Sequence, residues 1–174
     1  MYEQISKSAI TYANSLIEAA NNYEQILNDL RTVQNITSQS KDFNDVMLNP
    51  TISVSTKNEI IDEIFKNQIN EKVINFLKIL ADKKRFSELN EIISAYSEKV
   101  DEINNIKRVE VISVVELSDE QKQKTIERLQ NRLKKNVIVN WSLDKEIIGG
   151  LVIKIDDDII DSSLKNKLEK LSKI

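Results

Sequence analysis

The chain of 174 residues contains no cysteine and no histidine. Those two absences remove disulfides, thiol nucleophiles, imidazole general bases and the ordinary zinc sites, whatever the fold. Proline occurs once, at Pro50, and glycine only as the adjacent pair Gly149 and Gly150. With four phenylalanines, four tyrosines and one tryptophan, the cores fall mainly to Ile, Leu and Val. No apolar run approaches the roughly 18 residues that span a bilayer, and the N-terminus lacks the apolar stretch of a secretory leader, so a soluble intracellular chain without membrane insertion is expected. Net charge is −3, unevenly divided: residues 1 to 105 carry 11 basic and 16 acidic side chains, residues 106 to 174 carry 14 and 12. An acidic first part argues against nucleic acid as a partner, because neutralising phosphates needs a concentrated basic surface.

What the sequence does contain is helical periodicity. Apolar residues at Ile5, Ala9, Tyr12, Ala13, Leu16 and Ala20 predict a first helix from Gln4 to Ala20, with Ile10 and Ile17 as a surplus stripe. Tyr23, Ile26, Leu27, Leu30 and Val33 predict a second, and Lys41 to Leu48 a short third ended by Asn49 and Pro50. Thr56 with Glu59 reads as a capping box opening a fourth helix that runs to about Phe65. The fifth, from about Asn70 to Lys83, is apolar almost around its circumference and so is expected to be buried on several sides. Lys83, Lys84 and Arg85 close it, complementing the negative end of the helix dipole rather than contacting nucleic acid. Leu89, Ile92, Ile93, Tyr96, Val100 and Ile103 predict a sixth, from about Ser87 to Asn104.

After Asn105 the period changes. The β-branched run from Lys107 to Val115 predicts a strand. Ser118 and Gln121 form another capping box, for a helix whose narrow apolar stripe is Ile126, Leu129 and Leu133. Val137, Val139, Trp141 and Leu143 alternate as a second strand. The run from Ile147 to Ile155 predicts a third, bent at its glycines; an acidic turn at Asp156 to Asp158 then leads to a fourth. Asp161, Ser162 and Ser163 offer N-caps for a last helix lined by Leu164, Leu168 and Leu171. The expected fold is α+β: an all-α six-helix bundle over 1–105, then a small α/β domain with a mixed sheet over 106–174.

Candidate sites yield little chemistry. The glycine pair leads into a strand, not into the Lys-Ser/Thr ending and helix of a phosphate loop, so a bend is favoured. A calcium loop beginning at Asp156 has Asp161 where its tight-turn glycine belongs and Lys167 where its bidentate glutamate belongs, so a turn and helix cap are favoured over metal. No acid pair stands in a context that would raise one pKa for acid and base work. Catalytic, cofactor-binding and metal-ligating residues are therefore expected to be none. An adaptor in some other assembly and an enzyme using carboxylates alone remain as alternatives, told apart by what co-purifies and by a deep pocket holding a perturbed acid.

Three stretches carry a resemblance: Tyr12-Ala13 with Leu16 and Ala20, the run Phe76 to Asp82 followed by Arg85-Phe86, and the segment IIGGLVIKIDDDIIDSSLKNKLEKL. Over essentially its whole length the chain resembles the delta subunit of bacterial F-type ATP synthase, whose mitochondrial counterpart is the oligomycin-sensitivity-conferring protein. It departs from that family at Asp156 and Ser162, where glycine is usual, and at Lys83-Lys84, where Asn-Gly is common. The resemblance implies a non-catalytic clamp between the catalytic head and the peripheral stalk of a proton-translocating synthase, at the cytoplasmic face of the bacterial plasma membrane. It implies that a groove between helices one and five takes the N-terminal helix of a catalytic alpha subunit, and that the C-terminal domain meets the stalk b subunits. Helices one and five also carry the surplus apolar surface such a contact needs, so Tyr12, Leu16, Phe76 and Ile79 are the candidate partner-binding residues, with Phe76 and Ile79 expected to face away from the Val73, Leu77, Leu80 core stripe.

Overall fold

The computed structural model describes residues 5–145, 147, 150–155 and 158–161. Contacts divide the chain into two compact units, Met1–Val100 and Asp101–Ile174. The division falls inside the last turns of a helix, whereas the hydrophobic period changes after Asn105.

The first unit is helical: α1 (Lys7–Ala19), α2 (Tyr23–Gln39), α3 (Lys41–Leu48), α4 (Val54–Phe65), α5 (Glu71–Asp82), a 3-10 turn (Phe86–Glu88) and α6 (Leu89–Ile103). No strand occurs before residue 106 among the described residues. Each of the first five helices starts at a polar residue whose side chain accepts a free amide of the first turn: Ser6, Asn22, Ser40, Ser53 and Asn70. The start of α4 differs from the sequence expectation. Ser53, not Thr56, is its N-cap, with Ser53 Oγ accepting from the Thr56 amide at 3.1 Å. Lys57 lies in line with Ile61 and Phe65 on the buried face. The aliphatic stem of Lys57 is buried, and its ammonium donates to the Met47 carbonyl at 2.7 Å, satisfying an acceptor in the last turn of α3. The sixth helix begins later than expected, because Phe86–Glu88 forms a tighter turn first.

The core of this unit joins Ile26, Leu30, Ile61, Phe65, Leu77, Leu80, Ile92 and Tyr96, all essentially without solvent contact. Phe43 meets Phe65 and Phe86 edge to face, with centroids 5.9 Å apart in both pairs. Burying one such aliphatic or aromatic side chain contributes about 1.5–3 kcal/mol, so this cluster is a main source of the cohesion among α2, α4, α5 and α6.

From the last turn of α6 the chain passes through Asn105, whose φ of 54° turns it into the first strand of the second unit. Its elements are β1 (Ile106–Ser113), α7 (Asp119–Leu133), β2 (Asn136–Leu143), β3 (Leu151–Ile155) and β4 (Asp158–Asp161). The sheet order is β2-β1-β3-β4, parallel between β1 and β2 and antiparallel elsewhere, which makes it the mixed sheet expected. Both halves of the Ser118 and Gln121 capping box form. The strand expected to reach Val115 stops at Ser113: its hydroxyl donates to the Val115 carbonyl at 2.7 Å and bends the chain, leaving Val115 exposed. Val109, Val111, Leu129, Val137 and Ile155 form the buried core. On the opposite face of β1, Glu110 pairs with Lys154 across the ladder at 3.4 Å. Gly150, with φ of 90°, precedes β3 in a conformation open to glycine. The expected turn at Asp156 and Asp157, the caps Ser162 and Ser163 and the last helix at Leu164, Leu168 and Leu171 lie outside the described residues.

Candidate functional site

The first and fifth helices lie side by side and run in opposite directions. Tyr12, early in α1, meets Phe76 of α5, and Arg85, just beyond α5, sits 6.0 Å from the Tyr12 ring centroid. At the other end Lys72, at the start of α5, donates to the Ala19 carbonyl at the end of α1 and to Asn21 Oδ1 at 3.0 Å. At 100° per residue, Ser8, Tyr12, Ser15 and Ala19 form one stripe of α1, and Lys72, Phe76, Ile79 and Lys83 one stripe of α5. These two stripes flank a lane between the helices. Three of the four side chains on the α1 side are small.

The four candidate residues divide. Ile79 is 49 % exposed and lies on the lane, where the sequence puts it. Tyr12 is half-buried, its ring against that of Phe76. Leu16 and Phe76, at 4 % and 6 % exposure, belong to the buried core. This corrects the expectation that Phe76 turns away from the core: α5 buries a sector wide enough to include Val73, Ile74, Phe76, Leu77, Leu80 and Ala81. Ile10 is 41 % exposed, but two residues from Tyr12 means about 200° around the helix, so the Ile10 and Ile17 stripe faces away from α5. The surplus apolar surface of α1 thus does not line the lane.

The end of α5 is shaped by its basic triplet in a way periodicity does not show. Lys84 takes a left-handed conformation with φ of 55°; its amide donates to the Ala81 carbonyl at 3.2 Å and that of Arg85 to the Leu80 carbonyl at 2.8 Å. This is the Schellman closure, which glycine usually serves. It directs Arg85 back over Tyr12 and onto Glu88, at 2.9 Å. Glu88 also accepts from the Ser8 hydroxyl, and Glu91 from the Ser6 amide at 3.2 Å, so the start of α1 is tied to the elements after α5. Lys72, Ser8 and Glu88 were not found from sequence; only the spacing of Lys72 four residues before Phe76 points to the lane.

No grouping of three or more acidic residues that could hold a metal ion occurs among the described residues. Nor is any helix there long and apolar enough to cross a membrane.

Residues 9–174 match the model of the ATP synthase delta (OSCP) subunit. The chain belongs to the ATP synthase delta (OSCP) subunit family. Relatives include the ATP synthase subunit delta of Chlorobaculum tepidum, 37 % identical over 163 residues and covering 92 % of this chain and 90 % of that one. The ATP synthase subunit delta of Clostridium botulinum strain Loch Maree is 34 % identical over 177 residues, covering 100 % and 97 %. Among solved structures, a chain of the Toxoplasma gondii mitochondrial ATP synthase hexamer superposes with a TM-score of 0.71 at 18 % identity, covering 97 % of each chain. A chain of the Polytomella F-ATP synthase gives 0.51 at 20 % identity, over 56 % of this chain and 90 % of that one. The likeness to these two is one of fold. Membership of the delta family makes this a structural subunit of ATP synthase, a part of its peripheral stalk, and not a catalytic one.

Proposed function

We propose that this subunit clamps the catalytic head of a proton-translocating synthase to its stator by dividing the work between two domains, residues 1–105 and 106–174. The helical domain receives the N-terminal helix of a catalytic alpha subunit in the lane between α1 and α5, and the C-terminal domain meets the stalk b subunits. The chain then lies at the cytoplasmic face of a bacterial plasma membrane, held there by its partners. The observation that carries the docking reading is Ile79: a large apolar side chain half exposed on a lane floored by Tyr12 and Phe76, where an amphipathic helix gains apolar burial. The test is titration of the full chain with a peptide from the alpha-subunit N-terminus of the same source. Ile79→Asp is expected to bury an unpaired carboxylate and weaken binding by at least about 2 kcal/mol while barely moving the free chain's melting. Equal affinity for variant and parent sinks the proposal.

A further inference from the structure

The lane carries a charge pattern of its own. Residues 1 to 105 are acidic on balance, with 11 basic against 16 acidic side chains, yet the α5 stripe on the lane reads Lys72, Phe76, Ile79, Lys83: a cation at each end and apolar groups between. The facing stripe of α1, Ser8, Tyr12, Ser15 and Ala19, holds no carboxylate. The Lys72 ammonium is positioned by two neutral acceptors, the Ala19 carbonyl and Asn21 Oδ1, and pairs with no carboxylate among the described residues. At the other end Lys83, among the described residues, pairs only with the neighbouring Asp82, at 3.2 Å, with both side chains more than half exposed, a pairing that water and salt weaken. Arg85, by contrast, is committed to Glu88 and the Tyr12 ring. A rise of 1.5 Å per residue sets the two lysines about 16 Å apart along α5.

We infer that the helix seated in this lane carries a carboxylate at each end of its apolar stripe, about eleven residues apart, one acid reaching Lys72 and the other Lys83. The inference rests on the docking reading above and adds a charge rule to it. The apolar centre supplies affinity; the two rim cations select, because a helix with cations at the same places meets like charge at both ends. Since both lysines stay partly wet, their contribution falls as salt rises.

The test titrates the full chain, at low salt and at roughly 0.5 M, with the alpha-subunit N-terminal peptide of the same source, against Lys72→Glu, Lys83→Glu, Lys83→Arg and Ile79→Asp. Each lysine reversal is expected to weaken binding about tenfold at low salt and much less at high salt, with Lys83→Arg close to the parent. If the reversals leave affinity unchanged while Ile79→Asp still abolishes it, the charge rule is overturned and the docking reading stands. If Ile79→Asp has no effect, the docking reading fails and the rule fails with it. Lys72→Glu also removes the tie to Ala19, so its melting is recorded; Lys83→Glu breaks no bond across the lane and decides the matter if Lys72→Glu does not fold.

Discussion

The Tyr12 and Phe76 rings meet edge to face, centroids 6.1 Å apart and planes at 71°. One ring comes from each helix beside the lane, so this contact is both its floor and part of the core beneath. Truncating Phe76, which is 6 % exposed, removes core packing as well as that floor. Phe76→Ala is expected to cost the helical unit about 3–5 kcal/mol, and Ile79→Asp, at a half-exposed site, less than about 1 kcal/mol. Denaturant unfolding of the full chain followed by a helical signal measures both; losses of similar size would show that Ile79 is core.

Lys84 occupies the left-handed position of a Schellman closure with a side chain that disfavours it. Lys84→Gly relieves that cost, less the entropy glycine adds to the unfolded chain, and a gain of about 0.5–1 kcal/mol is expected. Lys84→Ala, which keeps the Cβ, should give no gain. Paired thermal melts of the two variants make the comparison.

Gly150 stands at φ 90° immediately before β3. Gly150→Val is expected to destabilise the C-terminal unit by about 1–3 kcal/mol and spare the helical one. Native-state hydrogen exchange separates the two responses: faster exchange should appear in β1 and β3 amides and not in α2 or α5. Unchanged protection in β3 would mean that valine is accommodated there.

The Tyr96 phenol is pushed up to about 12, first by burial and then by the nearby Tyr23 and Glu24, and its hydroxyl donates to the Tyr23 carbonyl at 3.4 Å. Below pH 10 folded and unfolded chains both keep the phenolic proton, and its contribution to stability is complete. Between about 10 and 12 the unfolded chain releases that proton while the folded chain retains it, so stability falls by an amount on the order of 2–3 kcal/mol. Tyr96→Phe should decline less steeply than the parent over that window in pH-dependent denaturant unfolding. Parallel curves would show that the phenol does not titrate differently in the two states.

Local chemistry makes much of this fold legible in the sequence. Ser118 with Gln121, Asn49 before Pro50, and the change of period after Asn105 each act over a few residues, and each is found where the pattern puts it. The misreadings come from choices that the local pattern leaves equal. Ser53 and Thr56 are both competent caps, and the long-range tie from Lys57 to Met47 favours the first. Phe76 sits at the margin of the α5 apolar sector, and whether a margin is core or surface depends on what a distant helix brings, here the Tyr12 ring. The same reasoning explains Ile10 and Ile17: an apolar stripe tells that a helix has surface to spare but not which neighbour lies beside it. Of the four candidate site residues, the one whose exposure suits a partner, Ile79, is also the one farthest around α5 from its core stripe.

The position of β1 within the sheet has a mechanical consequence. The chain leaving α6 runs directly into this strand, and β1 is interior, paired over eight residues with β2 and over four with β3. A pull applied to Ile106 along the strand axis runs across the direction of the ladder hydrogen bonds. Those bonds are then strained together, in shear, on both sides of β1, whereas a hairpin pulled from its open end peels one pair at a time. A sheet entered through its middle strand resists being drawn out by its tether.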